Sequence, residues 1–237
     1  MSAALVEVRD LRFRWQQTAA ECLDIAELRI ERGEAVFLYG PSGCGKSTLL
    51  SLLAGVLLAQ AGRVALLGQD WRAIPPSRRD RHRADHVGYI FQQFNLLPYL
   101  GVRDNVLAPC RFSARRALAA AQRDGSAEAG AERWLAAMGL APELWRRPAG
   151  DLSVGQQQRV AAARALIGHP EVVIADEPTS ALDEERRDSF VTLLLEACRA
   201  SGSALVFVSH DHRPATRFDR RIALPAINRA ADAAATA

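Results

Sequence analysis

Apolar and polar residues alternate between Val6 and Trp15, with Val6, Val8, Leu11, Phe13 and Trp15 keeping the apolar phase across one slip. Period-two alternation predicts a strand, and the slip predicts a bulge. Leu23 to Ile30 reads as a second strand, and Gly33-Glu34 turns the chain into an apolar run, Ala35 to Tyr39. Arg63 to Leu67, enclosed by Gly62 and Gly68, and Val87 to Phe91 read as short buried strands. From Val102 to about Ala149 the texture changes to Ala, Arg, Leu and Glu at helical spacing. Leu118 and Gln122, then Ala131, Trp134, Leu135 and Met138, predict amphipathic helices on either side of a loop from Gly125 to Gly130. Beyond it the pattern predicts a helix over Val154–Ile167, a strand over Glu171–Ala175, a helix over Glu184–Ala200 and a strand over Ala204–Val208. Strands alternating with helices imply an α/β fold with a mainly parallel sheet covered on both faces.

One junction in that pattern carries chemistry. Gly40-Pro41-Ser42-Gly43-Cys44-Gly45-Lys46-Ser47-Thr48 joins the apolar run Ala35–Tyr39 to a helix-like run from Thr48 to Ala54. Its glycines permit a tight turn whose N–H groups converge on one anion, and the helix start adds its positive dipole end. Lys46 can reach the β- and γ-phosphates of a nucleotide, and the Ser47 hydroxyl can ligate Mg²⁺. Val172-Val173-Ile174-Ala175 is an apolar strand ending in Asp176-Glu177. Asp176 can hold the metal, directly or through water, and Glu177 can orient and deprotonate an attacking water. The competing reading makes the two acids a helix N-cap pair, since Pro178 follows. Asp151 to Arg159 opens a helix whose N-terminus, at Ser153 and Gly155, is a second anion-reading element or simply a capped helix.

Composition narrows the setting. The 237 residues are 49% hydrophobic and 24% charged, which suits one large globular domain or two small ones. A formal net charge of +3 gives no ground for a nucleic-acid partner. The basic stretch from Arg72 to His86 (with Arg78, Arg79, Arg81, His82 and Arg83) is either a solvated surface or one that faces a membrane or an acidic partner. Cys22, Cys44, Cys110 and Cys198 form no C-x-x-C pair, so neither zinc nor a redox motif is expected, and a reducing compartment is. The first residues have no signal-peptide layout, and the longest apolar stretch, Leu49–Ala59, is too short to span a bilayer. Work at a membrane therefore requires a partner.

Taken in order, these motifs resemble the ATP-binding cassette (ABC) ATPase subunits of membrane transporters over nearly the whole chain. Gly40–Thr48 matches the Walker A motif, Val172–Asp176 the Walker B motif, and Glu177 the catalytic-base position. Leu152-Ser153-Val154-Gly155-Gln156 matches the signature, with Val154 where the family usually has glycine. Ser180–Asp183 matches the D-loop, Val208–Asp211 the switch-histidine segment with His210, and Phe91-Gln92 the Q-loop. Trp15 falls where the family places an adenine-stacking aromatic, with Phe13 as the rival if the register differs.

The resemblance implies a P-loop NTPase core with an N-terminal antiparallel β portion (residues 1–93 and 150–225), an inserted α-helical subdomain (94–149) and a disordered tail (226–237). It implies ATP and Mg²⁺ as cofactors, with Ser47, Gln92 and Asp176 about the metal. It implies a head-to-tail homodimer with two ATP molecules between Walker A of one copy and Ser153, Gly155, Gln156 and Asp183 of the other. The segment Phe91–Pro98 followed by Val102–Val106 is similar to the branch of lipoprotein-release and macrolide- or peptide-export ATPases and the cell-division ATPase. The expectation is an ATPase at the cytoplasmic face of the inner membrane, paired with a separate integral-membrane permease that docks near Phe94–Leu100. The alternative is a signalling ATPase that controls a periplasmic enzyme without transport.

Overall fold

The strands sort by sequence pattern into two sheets. The computed structural model describes residues 4–15, 20–180 and 182–230. In chain order the first elements are β1 (Val6–Phe13), β2 (Leu23–Ile30), β3 (Ala35–Tyr39), α1 (Lys46–Leu53), β4 (Ala61–Leu66), β5 (Gln69–Asp70), α2 (Pro76–His86) and β6 (Val87–Ile90). Three helices follow, α3 (Val102–Phe112), α4 (Ala114–Asp124) and α5 (Ala127–Ala137). The chain closes with α6 (Val154–Leu166), β7 (Val172–Asp176), α7 (Glu184–Ser201), β8 (Ala204–Val208), β9 (Arg220–Ala223) and α8 (Leu224–Ile227).

The half-polar strands build an antiparallel sheet in the order β2-β1-β4-β5. The continuous apolar runs build an all-parallel sheet in the order β6-β7-β8-β3-β9. Alternate residues of the parallel strands serve two different cores. Phe37, Val173, Ala175, Leu205 and Phe207 pack with α3, α5, α6 and α7. Val36, Leu38, Val172, Ile174 and Val206 face α1 and the antiparallel sheet. Burial on both faces is why these strands read as unbroken hydrophobic runs. The expected α/β class, with a parallel sheet, an antiparallel portion and a group of helices between β6 and β7, is what forms.

Differences from expectation are local and have physical causes. β1 ends at Phe13, two residues before Trp15, and its register shifts between Arg9 and Arg12, as the phase slip requires. Gly62 is obligatory opposite that bulge, because a Cβ there would lie 2.1 Å from the Asp10 carbonyl oxygen. The expected loop Gly125–Gly130 shrinks to Gly125 and Ser126, since the Ser126 side chain accepts from the Ala129 N–H and starts α5 at Ala127. Leu118 and Gln122 are exposed, and α4 instead buries Arg116 and Ala120. The unstructured tail cannot begin at Ala226. Asn228 is buried, accepts from the Asp24 N–H at 2.8 Å and donates to the Cys22 carbonyl at 3.0 Å. Residues 231–237 of the expected tail lie outside the described residues.

Candidate active site

Where β3 ends, the chain turns through Gly40–Gly45 into α1. Gly43 (φ +80°) and Gly45 (φ +99°) occupy the left-handed region that favours glycine. A Cβ on Gly45 would also press within 2.9 Å of Leu23. The first turn of α1 carries no acidic side chain, so its positive end is open to an anion. Lys46 is nearly buried, and its Nζ donates to the carbonyls of Gly40 and Pro41, both at 2.9 Å. The ammonium is thus folded over its own loop. Ser47 Oγ donates to Asp176 Oδ1 at 3.2 Å, which joins the phosphate loop to the end of β7. Burial pushes the Asp176 carboxyl above the usual range, opposed by the Ser47 hydrogen bond and reinforced by the negative charge of Glu177.

Glu177 follows with φ +44°, and its N–H donates to the Val208 carbonyl at 3.1 Å. That strained turn aims the carboxylate back toward the loop. Glu177 Oε1 lies 3.9 Å from Lys46 Nζ, and Oε2 lies 3.4 Å from His210 Nδ1. Glu177 is therefore the meeting point of the loop lysine and the segment after β8, an arrangement that a helix N-cap pair would not produce. A cleft of about 380 Å³ opens here, lined by Trp15, Ser42, Gly43, Lys46, Ser47 and Glu177 among others. Trp15 is 63% exposed, while Phe13 is buried and meets the Trp15 ring edge-on at 5.3 Å. Of the two aromatics, Trp15 offers a free face to the cleft and Phe13 belongs to the core.

Gln92 is not brought to this cluster. It sits on the exposed turn after β6 and makes no hydrogen bond to Ser47 or Asp176 among the described residues. Its strand is nonetheless the neighbour of β7, with Ile90 paired to Ala175.

The second candidate helix start lies elsewhere. Ser153 caps α6 in a reciprocal box: its Oγ accepts from the Gln156 N–H at 3.3 Å, and its own N–H donates to Gln156 Oε1 at 2.9 Å. Val154 is the first helical residue, at negative φ and half exposed, so the β-branched side chain costs no backbone strain at this position. Asp183 caps α7, accepting from the Arg186 N–H at 3.0 Å. Ser153, Gly155, Gln156 and Asp183 line one cleft of about 730 Å³. It shares no lining residue with the phosphate-loop cleft. Ala181 of the D-loop match lies outside the described residues.

Several supporting residues escape sequence reasoning. Asp211 is held by Arg187 and Arg213, whose hydrogen bonds keep its carboxyl far below the ordinary range. Arg213 also pairs with Glu184, so the segment bearing His210 is tied to the start of α7. Buried Gln158 donates from Nε2 to the Pro178 carbonyl at 2.8 Å, linking α6 to the turn after Glu177. None of these pairs has a spacing that a sequence pattern could flag. Of the basic cluster, Arg78, Arg79 and Arg81 make no ion pair among the described residues, while Arg83 pairs with Asp80. No helix among the described residues is long and apolar enough to cross a membrane.

A glycine-rich loop opening a helix, beside acids at the end of a central parallel strand, defines a phosphate-loop nucleotide-binding protein. The chain belongs to the ABC transporter family, whose model matches residues 23–180. It is 40% identical over 222 residues to the uncharacterized ABC transporter ATP-binding protein YbbA of Escherichia coli K12, covering 93% of this chain and 94% of that one. It is 39% identical to the lipoprotein-releasing system ATP-binding protein LolD of Novosphingobium aromaticivorans, covering 94% and 97%. Among solved structures, the dimeric post-hydrolysis state of the ATP-binding cassette MJ0796 bound to ADP and Pi superposes with a TM-score of 0.80 at 32% identity, covering 92% and 93%.

Proposed function

We propose that this chain is the ATP-hydrolysing subunit of a membrane complex that exports or extracts a lipoprotein, peptide or hydrophobic compound through a separate permease. One observation carries the reading: the phosphate loop and the Ser153 helix start line different clefts of the same chain. Two copies placed head to tail bring one of each to every nucleotide. The phosphates of ATP replace the Gly40 and Pro41 carbonyls as partners of Lys46, and Trp15 stacks on the adenine. Ser47 Oγ and Asp176 Oδ1 are adjacent hard oxygen donors, which fits Mg²⁺ and its preference for one or two protein ligands beside phosphate oxygens. Ser47 and Asp176 would hold the metal, which would neutralise charge on the phosphates; Gln92, just beyond the strand that pairs with β7, is the further candidate ligand. Glu177 accepts the proton of the attacking water, and His210, in contact with it, senses the γ-phosphate.

The permease docks in an apolar cleft of about 650 Å³ between α2, β6 and α3, floored by Val56, Phe91 and Phe112 and rimmed by Arg81 and Arg83. Of the expected docking segment Phe94–Leu100, Leu97 and Tyr99 are exposed and Phe94 is buried. Such a rim suits a segment with apolar side chains and carboxylates. The protein is peripheral, at the cytoplasmic face of the inner membrane. The lipoprotein-releasing relative speaks for release rather than for signalling without transport. Glu177→Gln keeps the shape and removes the base. Turnover is expected to fall by about 10²–10⁴-fold, with ATP still bound and the dimer accumulating on a sizing column. Hydrolysis at the parental rate would remove Glu177 from this role.

A further inference from the structure

Among the described residues, Arg116 is the most deeply buried charged residue, at 2% exposure. It stands in the first turn of α4 and pairs with no carboxylate among the described residues. The nearby acids are engaged elsewhere: Asp85 accepts from Ser113, and Glu171 pairs with His86 and Arg115. Every hydrogen bond of its guanidinium goes to a backbone carbonyl, while its backbone N–H donates to the Ser113 hydroxyl at 3.0 Å. Nε donates to Ile167 at 2.7 Å, and Nη2 to Ala165 at 2.7 Å and Arg164 at 3.4 Å. Nη1 reaches the Val87 carbonyl of β6 at 3.5 Å. Burial lowers its pKa to about 10, which leaves it charged at neutral pH.

Three of these carbonyls belong to the end of α6. A helix leaves its last carbonyls unpaired and partially negative, and a buried guanidinium answers both needs. The approach is close on every side. A Cβ on Gly168 would lie 2.5 Å from the Arg116 carbonyl oxygen, and a Cβ on Gly88 of β6 would lie 2.3 Å from the Ala165 carbonyl oxygen. Arg116 is thus the junction of three elements. These are α4, the C-terminal end of α6, and β6, which leads directly into Phe91-Gln92. The opposite end of α6 is Ser153 with its capping box.

We propose that Arg116 is a positioning residue: it fixes the C-terminal end of α6 against β6 and so sets the direction in which Ser153, Gly155 and Gln156 face a nucleotide held by a second copy. This rests on the head-to-tail dimer of the proposed function. The leverage is geometric. A 13-residue helix is roughly 20 Å long, so a tilt of about 5° at its anchored end displaces the other by roughly 2 Å. Misplacements of about 1 Å are enough to cost two orders of magnitude in a reacting site.

The test is made in the Glu177→Gln chain, where ATP binding to the single chain and ATP-driven dimerisation are measured separately. Each variant is studied well below its own melting temperature. Arg116→Gln is expected to leave single-chain ATP affinity within about twofold and to weaken dimerisation about tenfold or more. Arg116→Lys keeps the charge but not the fork, and is expected to recover only part of the loss. A lowered melting temperature with undiminished dimerisation would reduce Arg116 to a stabilising contact and overturn the proposal. Should Arg116→Gln not fold, Arg116→Lys decides alone, and full dimerisation by it is again the overturning result. Failure of the Glu177→Gln parent to dimerise would bring down the sandwich itself and this inference with it; a dimerising parent with an equally competent Arg116 variant brings down only the inference.

Discussion

The phosphate-loop cleft and the Ser153 cleft use the same device, the start of a helix, and differ in what completes it. At α1 the loop is held by its own chain: Leu23 leaves no room for a side chain at Gly45, Lys46 is nearly buried over two loop carbonyls, and Ser47 reaches Asp176 on a neighbouring element. At α6 the helix start is half bare. The side chains of Ser153 and Gln156 bond each other's backbone, Val154 projects outward, and Asp183 lies across an open cleft. A site finished within one chain can bind its ligand alone. A site that stops at a capping box is incomplete by itself, and under the head-to-tail arrangement proposed above it is completed by the nucleotide of a second copy.

That contrast can be broken at either end. The largest effect is expected at the finished site. Lys46→Ala removes a charged donor worth about 1.5–3 kcal/mol, so single-chain ATP affinity should fall about 10- to 100-fold by equilibrium titration. Unchanged affinity would take Lys46 out of phosphate binding. At the bare site, Ser153→Asp preserves the N-cap, since aspartate caps as well as serine, but sets a carboxylate against the partner's triphosphate. Melting temperature and single-chain ATP affinity should stay put while ATP-driven dimerisation is lost. A dimer of parental strength would mean that this helix start does not face nucleotide.

The smallest effect is expected beyond the far end of α6, at His169. Burial first, then the positive charges of Arg123 and Arg133, push its imidazole pKa down to about 4. An unfolded histidine titrates near 6.5. Between those values the unfolded chain binds a proton that the folded chain refuses, so stability falls as pH drops through that window. His169→Gln should reduce the loss of melting temperature between pH 7 and pH 5. An identical loss in both proteins would mean that His169 is not the group responsible.

Much of this was legible along the chain because it is written in local rules. The period-two alternation of β1, the unbroken runs of β3, β7 and β8, and the glycines between Tyr39 and Lys46 each depend on neighbours a few residues away. The stripe of α4 faces solvent for the opposite reason. Helical spacing marks Leu118 and Gln122 as a face, but which face turns inward depends on what α4 meets, and it meets the carbonyl end of α6 with Arg116. Likewise the pairing of Arg187 and Arg213 with Asp211 joins residues whose spacing carries no signal.

By itself, then, the sequence determined the elements, the nucleotide chemistry and the family, because backbone propensity, burial period and glycine geometry are properties of short stretches. That Trp15 rather than Phe13 is free, that Glu177 meets both Lys46 and His210, and that the starts of α1 and α6 open on different clefts emerge from the folded chain alone. Those outcomes depend on how distant segments pack. Packing is settled by the mutual fit of surfaces that no single stretch of chain contains.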